Sequence, residues 1–440
     1  MRRRIRRSRH RLFRLAPWRL RLVFWGGALA TGAVSAGFAL AGEGADHLFR
    51  TLRAAWPWAP VVLLPGGFAL IAWITARWFP AARGSGIPQA IACLQVETTH
   101  SLRDQALALR VAAAKLVLTL VGLLCGASIG REGPTVHIGA ALMHGLGNLA
   151  RFPAFYLERG LILAGGGAGI AAAFNTPLAG VMFAIEEMGR SFDRRTSAVV
   201  LVAVILAGLT AISIQGNYDY FGRVQELLPL PRGWPVIPVA GVLGGLLGGA
   251  FTEFLLFGTR SLARFYERHP VRVAAAAGLV VAGVGLWSGG ATWGSGYLEA
   301  RALLAGEGQT PFYYFWLKLL ATAASYLSGI PGGIFAPSLS TGAGLGADLA
   351  HWFSSLPREA VVLLGMVAYF SGVVQTPITA FVIVMEMSSD PGMILPLMAT
   401  SLIASGTSRL ICPTPIYEAL ARDFLGRSLA ARPRYQAPEP

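Results

Sequence analysis

Charged residues are scarce in this chain. Asp, Glu, Lys and Arg make up 13% of its 440 residues, whereas 54% are hydrophobic, and soluble domains have roughly 25% charged residues. Uncharged runs such as Val23–Gly42 reach the length of roughly 20 residues that spans a bilayer. We find no series of alternating segments of about 10 residues, the pattern of an outer-membrane barrel. The composition excludes a soluble protein and predicts an all-α integral membrane protein.

Cysteine and histidine are also too few and too scattered to suggest a metal or redox site. Cys93, Cys125 and Cys412 are widely spaced in apolar surroundings, and the seven histidines show no pairing at ligand spacing. The sequence therefore predicts no metal and no cofactor.

The positive charge is concentrated at the N-terminus. Residues 1–21 contain ten arginines and no acid, in a chain of net charge +15. Nucleic-acid binding would explain such a basic segment. Because a hydrophobic span follows at once, the positive-inside rule, by which Lys/Arg-rich segments next to a span stay in the cytoplasm, explains it better. The apolar core of a cleaved signal peptide, about 7–15 residues, is shorter than Val23–Gly42. We expect a cytoplasmic N-terminus in the plasma (inner) membrane, and no nucleic-acid partner.

One stretch inside the apolar sequence, Gly126–Gly139, carries both an arginine and a glutamate. Proline is favoured at the first helical position, so Pro134 predicts a helix that starts there and runs to about Leu149. A helix N-terminus has free N–H groups and a partial positive charge, and so suits an anion. Glu132 places a carboxylate where a small anion would otherwise bind. A carboxylate that competes with the anion, and yields when protonated, is a gate.

A second stretch of helix-breaking residues, Gly84-Ser85-Gly86-Ile87-Pro88, predicts a loop that ends at another helix N-terminus. Ser85 would then aim its hydroxyl at an anion, although a plain Ser-Gly turn explains the pattern as well.

The chain contains an internal repeat. Asn175-Thr176-Pro177 with a following Glu186 recurs 200 residues later as Gln375-Thr376-Pro377 with Glu386. Two other echoes occur in the same order: Gly84–Ala90 with Gly294–Ala300, and Gly130–Pro134 with Gly333–Pro337. Repeats of this kind are typical of transporters with inverted halves and broken helices.

The repeat divides the chain into parts. We expect a basic cytoplasmic head at 1–22, membrane repeats at 23–215 and 234–410, a linker at 216–233, and a C-terminal helix and tail at 411–440. Long apolar runs cut by Pro and Gly, such as Gly160–Ile185 and Ala360–Met385, predict pairs of short helices. Both halves would aim a helix N-terminus inward, at Gly133-Pro134 and Ala336-Pro337.

These motifs together resemble the CLC family of chloride channels and proton-coupled chloride antiporters over nearly the whole chain after the head. Gly84–Pro88, Gly130–Pro134 and Gly333–Pro337 are similar to the three family signatures, and Pro415–Leu420 to a fourth element that carries a tyrosine. The resemblance implies two inverted repeats of tilted and broken helices, in a homodimer with one pore in each subunit.

The resemblance also implies roles for single residues. The hydroxyls of Ser85 and Tyr417 and the backbone N–H groups of Ile334 and Phe335 would bind chloride. Glu132 would be the gating glutamate, with Arg131 and Gly133 beside it on the anion path, and Glu187 would relay protons.

The repeat supports Glu187 independently. Glu186 has a partner in Glu386, which suggests a shared structural role, whereas Glu187 aligns with Met387 and has no acidic partner. For Arg131 we favour pairing with a carboxylate or carbonyls over direct anion contact.

Three further residues have interpretations of their own. Lys115 is a buried charge without an evident partner, His137 is a packed residue, and Gln89 stands where many relatives have an acid.

We therefore predict proton-coupled chloride antiport, with a passive voltage- or pH-gated chloride channel as the alternative. A fluoride exporter fits less well, because Ser85 and Tyr417 match the chloride-type site. An intramembrane serine protease would need a histidine base on a facing helix. The second half offers only His269 and His351, both near predicted helix ends, so we expect no enzyme. The expected partners are chloride, protons, the lipid bilayer and a second copy of the chain.

Overall fold

The computed structural model describes residues 15–95, 100–152, 159–190, 194–224, 227–229, 231–307 and 310–430. Within these ranges the regular structure is helical, as the composition predicts. The first half contains α1 (Leu15–Ala55), α2 (Ala59–Trp78), α3 (Ile87–Gln95), α4 (His100–Ala106), α5 (Leu109–Leu124), α6 (Glu132–Ala150), α7 (Leu161–Phe174), α8 (Pro177–Met182), a π-helical segment (Phe183–Gly189) and α9 (Arg194–Gln215). The second half contains α10 (Val236–Arg268), α11 (Pro270–Trp287), α12 (Tyr297–Leu304), α13 (Tyr314–Leu327), α14 (Phe335–Trp352), α15 (Arg358–Val374), α16 (Pro377–Ser388), α17 (Ile394–Ile411) and α18 (Ile416–Ala430).

The protein is a multi-pass membrane protein. Among the described residues, seven helical stretches are long and apolar enough to cross a bilayer. They are Leu20–Ala55, Ala59–Trp78, Leu102–Leu124, Thr196–Gln215, Val236–Arg268, Pro270–Trp287 and Pro391–Ile411. Helix α1 begins at Leu15, inside the predicted head, whose residues 1–14 lie outside the described part of the chain.

The predicted pairs of short helices are confirmed. The run at 160–185 breaks at Asn175 between α7 and α8, and the run at 360–385 breaks at Gln375 between α15 and α16. Both residues adopt the left-handed conformation, with φ of 57° and 60°, and a proline follows two positions later. A left-handed residue ends a helix, and proline is well placed in the first turn of the next.

A reciprocal contact relates the two halves. Glu186 accepts hydrogen bonds from the backbone N–H groups of Ile378 and Thr379 at the start of α16, at 3.1 and 2.6 Å. Glu386 accepts them from Leu178 and Ala179 at the start of α8, at 3.0 and 2.7 Å. Because each half caps a helix of the other with an equivalent residue, the repeats are related by a two-fold axis, as expected for inverted topology.

Equivalent glycines bring helices close together in both halves. Gly139 of α6 faces the backbone carbonyl of Gly165 on α7, and Gly342 of α14 faces that of Gly365 on α15. A methyl group on Gly139 or Gly342 would overlap this oxygen, so only glycine permits the approach. The helices that begin at the centre are thereby fixed against their neighbours.

Candidate functional site

The site lies where α6 and α14 begin. The residues before them pair across the two halves: Gly130 N–H donates to Gly333 O at 2.7 Å, and Gly333 N–H donates to Gly130 O at 2.8 Å. Two helix N-termini, one from each half, therefore meet at one point. The first N–H groups of a helix have no partner within it, so this point carries partial positive charge.

Both helices start earlier than proline placement predicts. The first helical residues are Glu132 and Phe335, so Pro134 and Pro337 are each third in their helix. Our expectation that Pro134 takes the first position is wrong by two residues. The physical reason still holds, because a missing N–H in the first turn removes no helical hydrogen bond.

The Glu132 carboxylate is enclosed at this meeting point. The residue is 0% exposed, and neither oxygen has a hydrogen-bond partner among the described residues. Its Oε2 lies so close to Gly130 that a methyl group there would overlap it, and one on Gly333 would lie 3.4 Å away. The backbone amides of Arg131 and Ala336 are near the carboxylate, without hydrogen-bond geometry. A carboxylate thus occupies the space between two positive helix ends.

Two hydroxyl groups lie close to this carboxylate. Ser85, 1% exposed, precedes α3, and its Oγ packs so tightly on Gly133 that a methyl group there would overlap it. Tyr417, 0% exposed, is in the first turn of α18 and within electrostatic range of Glu132. Neither hydroxyl has a partner among the described residues. Buried hydroxyls are normally hydrogen-bonded, so an unpaired set suits a small anion.

The second half adds backbone groups and an aromatic cluster. Ile334 caps α14, and Phe335 is its first residue, so their N–H groups belong to the unpaired helix start. The Phe335 ring packs between Phe370, with centroids 4.3 Å apart, and Phe174, at 5.9 Å. It also meets Phe183, the first residue of the π-helical segment, at 6.5 Å. This cluster makes the region between the meeting point and that segment apolar.

Arg131 uses its side chain for structural contacts. Its guanidinium donates to Ala39 O at 2.7 Å and to Glu43 Oε1 at 3.1 and 3.2 Å, and stands 5.7 Å from the ring centre of Tyr220. Arg131 thus pairs with a carboxylate and a carbonyl, the arrangement that we favoured from the sequence over direct contact with an anion. A cavity of 340 Å³ opens here, lined by Arg131, Glu43 and Tyr220 among others.

A larger cavity of 470 Å³ reaches Ser85. Its walls come from α2, α3, α4, α10, α11, α13 and α18, and include Arg83, which stacks over the Tyr266 ring at 3.6 Å. One cavity thus reaches Ser85 beside Gly133, and the other reaches Arg131. Glu132 lies between Arg131 and Gly133 in the chain, and so next to a residue associated with each cavity.

Glu187 lies in the π-helical segment. It is 1% exposed, and neither carboxylate oxygen has a hydrogen-bond partner among the described residues. Thr376 and Arg190 are its polar neighbours. Glu186, the next residue, faces α16 instead, where it is hydrogen-bonded. The adjacent glutamates thus differ: Glu186 is hydrogen-bonded to the start of α16, whereas Glu187 is buried without a hydrogen bond. Glu158, the only acid between Glu132 and this pair in the sequence, lies outside the described residues.

Two buried lysines support the glycine loops. Lys115, whose partner the sequence left open, donates from Nζ to Gly84 O at 3.0 Å, next to Ser85. Lys318 does the same in the second half, donating to Gly294 O at 2.8 Å and to Thr292 O at 3.0 Å. The sequence analysis missed Lys318, although the repeat pointed to it: Gly294 echoes Gly84, and Lys318 lies 203 residues after Lys115.

Two other predicted residues have packing contacts. His137 Nε2 lies 2.8 Å from Ala106 O, and Gln89 Nε2 donates to Arg83 O at 2.7 Å. Both tie the surroundings of α3 together. Tyr220, in the predicted linker, was missed altogether, yet it touches Arg131 and Phe174, with ring centroids 5.1 Å apart in the second case. The signal was the aromatic run Tyr218–Phe221 in an otherwise polar joint.

The chain is similar to proteins of known family and structure. Residues 67–409 match the family model described as voltage gated chloride channel. The chain is 30% identical over 407 residues to the H(+)/Cl(-) exchange transporter ClcA of Yersinia pestis bv. Antiqua (strain Angola), covering 88% of this chain and 82% of that protein. It is 29% identical over 401 residues to ClcA of Vibrio cholerae serotype O1 (strain M66-2), with coverage of 86% and 84%. The crystal structure of a slow cyanobacterial Cl-/H+ antiporter superposes with a TM-score of 0.80 at 28% identity, over 94% of this chain and 99% of that one.

Proposed function

The chain belongs to the CLC family of voltage-gated chloride channels, and from that premise we propose that it exchanges chloride for protons across a membrane. One observation carries the proposal: the unpaired carboxylate of Glu132 lies where the helix starts of the two halves meet. A fixed negative group at a site built for an anion competes with that anion. The relatives named as chloride–proton exchangers support the same activity.

Glu132 acts as the gate. Ionised, its carboxylate is attracted to the two helix starts and blocks the passage between the cavities. Protonated, it loses that attraction and moves aside, so a chloride ion takes its place. Each opening thus requires a proton at the position that the anion is about to occupy.

The transported anion is held by dipoles. Ser85 and Tyr417 supply hydroxyls, and Ile334 and Phe335 supply N–H groups. Arg131, next to Glu132, is engaged by Glu43 and Ala39. Dipoles bind an anion weakly enough for it to leave, which conduction requires.

Glu187 carries protons between the cytoplasm and Glu132. An ionised side chain inside a membrane costs about 2.5–3.5 kcal/mol on insertion scales. A carboxylate lowers this cost by taking up a proton, and a group that alternates between both forms is a relay. Between the glutamates lies the aromatic cluster around Phe335, so water must cross that gap.

The test is reconstitution into liposomes with simultaneous recording of chloride and proton flux. An outward chloride gradient is expected to drive protons inward against their own gradient. Chloride flux with no proton movement would instead establish the passive channel, the alternative of the same fold.

We also propose a homodimer in the inner membrane with a cytoplasmic N-terminus. Leu178 and Ile378, equivalent residues after the two helix breaks, are 58% and 42% exposed. Apolar side chains related by the internal two-fold axis suit a self-complementary face. The ten arginines of the head support the orientation. Cross-linking in mild detergent should trap a dimer, and a monomer alone would reject it.

A further inference from the structure

An ion-pair cluster joins the π-helical segment to α18. Glu418 accepts hydrogen bonds from the guanidinium groups of Arg190, which follows that segment, and Arg422, one turn further along α18. The Glu418 side chain is only 13% exposed. The side chains of Arg190 and Arg422 are 35% and 63% exposed, so solvent partly screens both pairs.

Arg190 lies three residues after Glu187, within electrostatic range of its carboxylate. Its backbone is left-handed, with φ of 48°, a conformation that non-glycine residues adopt infrequently. Arg190 therefore stands between a buried carboxylate without a hydrogen bond and a paired one.

Glu418 directly follows Tyr417 in the first turn of α18. The Tyr417 hydroxyl is part of the candidate anion site, within electrostatic range of both Glu132 and Glu187. Neighbouring residues of one helical turn move together. A change in the pull on Glu418 is therefore transmitted to Tyr417.

Among the described residues, Glu187 and Glu418 are the carboxylates that attract Arg190. Arg422 and Arg409 repel it, and Glu186 is engaged by the N–H groups that start α16. The second half has a serine at the equivalent place: the left-handed residue that ends its helix is Ser389, whose hydroxyl donates to Asp219. The arginine occurs in the half that carries Glu187.

We propose that Arg190 is a positioning residue that couples the protonation of Glu187 to the placement of Tyr417. When Glu187 is ionised, it attracts Arg190 and weakens the Arg190–Glu418 pair. When Glu187 takes up a proton, Arg190 pairs fully with Glu418 and holds the first turn of α18 in place. This inference rests on the proposed function and adds the link between its proton and anion sites.

The first experiment measures both fluxes in liposomes. Arg190→Gln is expected to lower the number of protons moved per chloride at least fivefold while chloride flux continues, and Arg190→Lys to keep most of the coupling. Arg422→Gln is the matched control, since Arg422 also pairs with Glu418, and should keep the wild-type ratio. An unchanged ratio in Arg190→Gln, or equal loss of both fluxes, would overturn the proposal.

A second measurement does not depend on proton transport. Calorimetric titration with chloride compares Glu187→Gln in the native and Arg190→Gln backgrounds. We expect Glu187→Gln to change the chloride dissociation constant severalfold in the first background and not in the second. If Glu187→Gln changes the chloride dissociation constant equally in both backgrounds, the link through Arg190 is overturned, even if the wild type couples protons to chloride. A wild type without proton flux would instead reject the proposed function. Should Arg190→Gln fail to fold, Glu418→Gln removes the same pair and is held to the same outcomes.

Discussion

The two halves of the chain share a backbone plan and differ in the side chains placed on it. Glu186 and Glu386 cap each other's helices, and Lys115 and Lys318 hold equivalent glycine loops. At the meeting point, however, the first half presents Glu132 and the second presents Phe335. Symmetric residues thus build the scaffold, and asymmetric residues provide the proposed chemistry.

The backbones of the two halves differ just after the capping glutamates. The left-handed residue that ends the helix is Arg190, four positions after Glu186, in the first half, but Ser389, three positions after Glu386, in the second. The first half fits one extra residue into this stretch, and its helix widens into a π-helical segment. Single-residue widenings of this kind are frequent at functional sites. Here the widened segment contains Glu187.

The largest effect is expected from removing the charge of Glu132, the residue that stands where the second half has Phe335. Glu132→Gln should leave chloride flux running, uncoupled from protons and insensitive to pH, because an amide neither ionises nor carries a proton. Parallel flux recordings check this. Glu359→Gln, in the first turn of α15, is the control and should behave as wild type. Proton pumping against a gradient by Glu132→Gln vesicles would remove Glu132 from the gate.

The adjacent glutamates test the separation of scaffold and chemistry directly. Glu187→Gln should abolish proton movement while chloride still flows. Glu186→Gln should keep coupling largely intact but destabilise the fold by about 1–3 kcal/mol, since an amide oxygen is a weaker partner for the N–H groups of α16. Flux recordings and thermal unfolding in detergent measure the two effects. The reverse result would move the relay to Glu186.

Replacing the buried lysines should have smaller effects than replacing the glutamates. Lys318→Met removes the side-chain partner of two buried carbonyls, those of Thr292 and Gly294, at about 1–3 kcal/mol each. After Lys115→Met, in contrast, Gly84 O keeps a hydrogen bond from Gly332 N–H at 3.3 Å. Lys318→Met should therefore lower the unfolding temperature more. Lys115→Met should weaken chloride binding more, because Gly84 precedes Ser85. Unfolding and chloride titration of both variants decide this, and equal chloride affinities would argue against a positioning role for Lys115.

Helix-breaking residues and the internal repeat were enough to predict much of the fold. Glycine and proline mark the breaks at Asn175 and Gln375, and the repeat assigned a structural role to Glu186, whose contacts with α16 fit it. Contacts between distant segments were not predictable. Arg131 pairs with Glu43, 88 positions away, and Arg190 with Glu418, 228 positions away. Neither pair has local spacing, so only the folded chain identifies them. The extra residue before Arg190 was equally hidden, because it becomes evident only from the left-handed backbone that follows.

The smallest effect concerns anion preference, where the two glycine loops can be compared. Ser85 has an unpaired hydroxyl at the site, whereas the equivalent Ser295 accepts a hydrogen bond from Tyr297 N–H at 3.4 Å. Ser85→Pro deletes a hydroxyl and an N–H, and so should shift preference severalfold from chloride toward larger polyatomic anions such as nitrate. Ser85→Ala, which keeps the N–H, should shift it less, and Ser295→Ala should not shift it. The measurement is flux in chloride and in nitrate for the three variants. Since the halves share their loop geometry, an equal shift from both alanine variants would mean that the loop sets selectivity. A shift seen only in the Ser85 variants would mean that Ser85 contacts the anion directly. Ser85 would then be one of the residues by which the two halves differ in function.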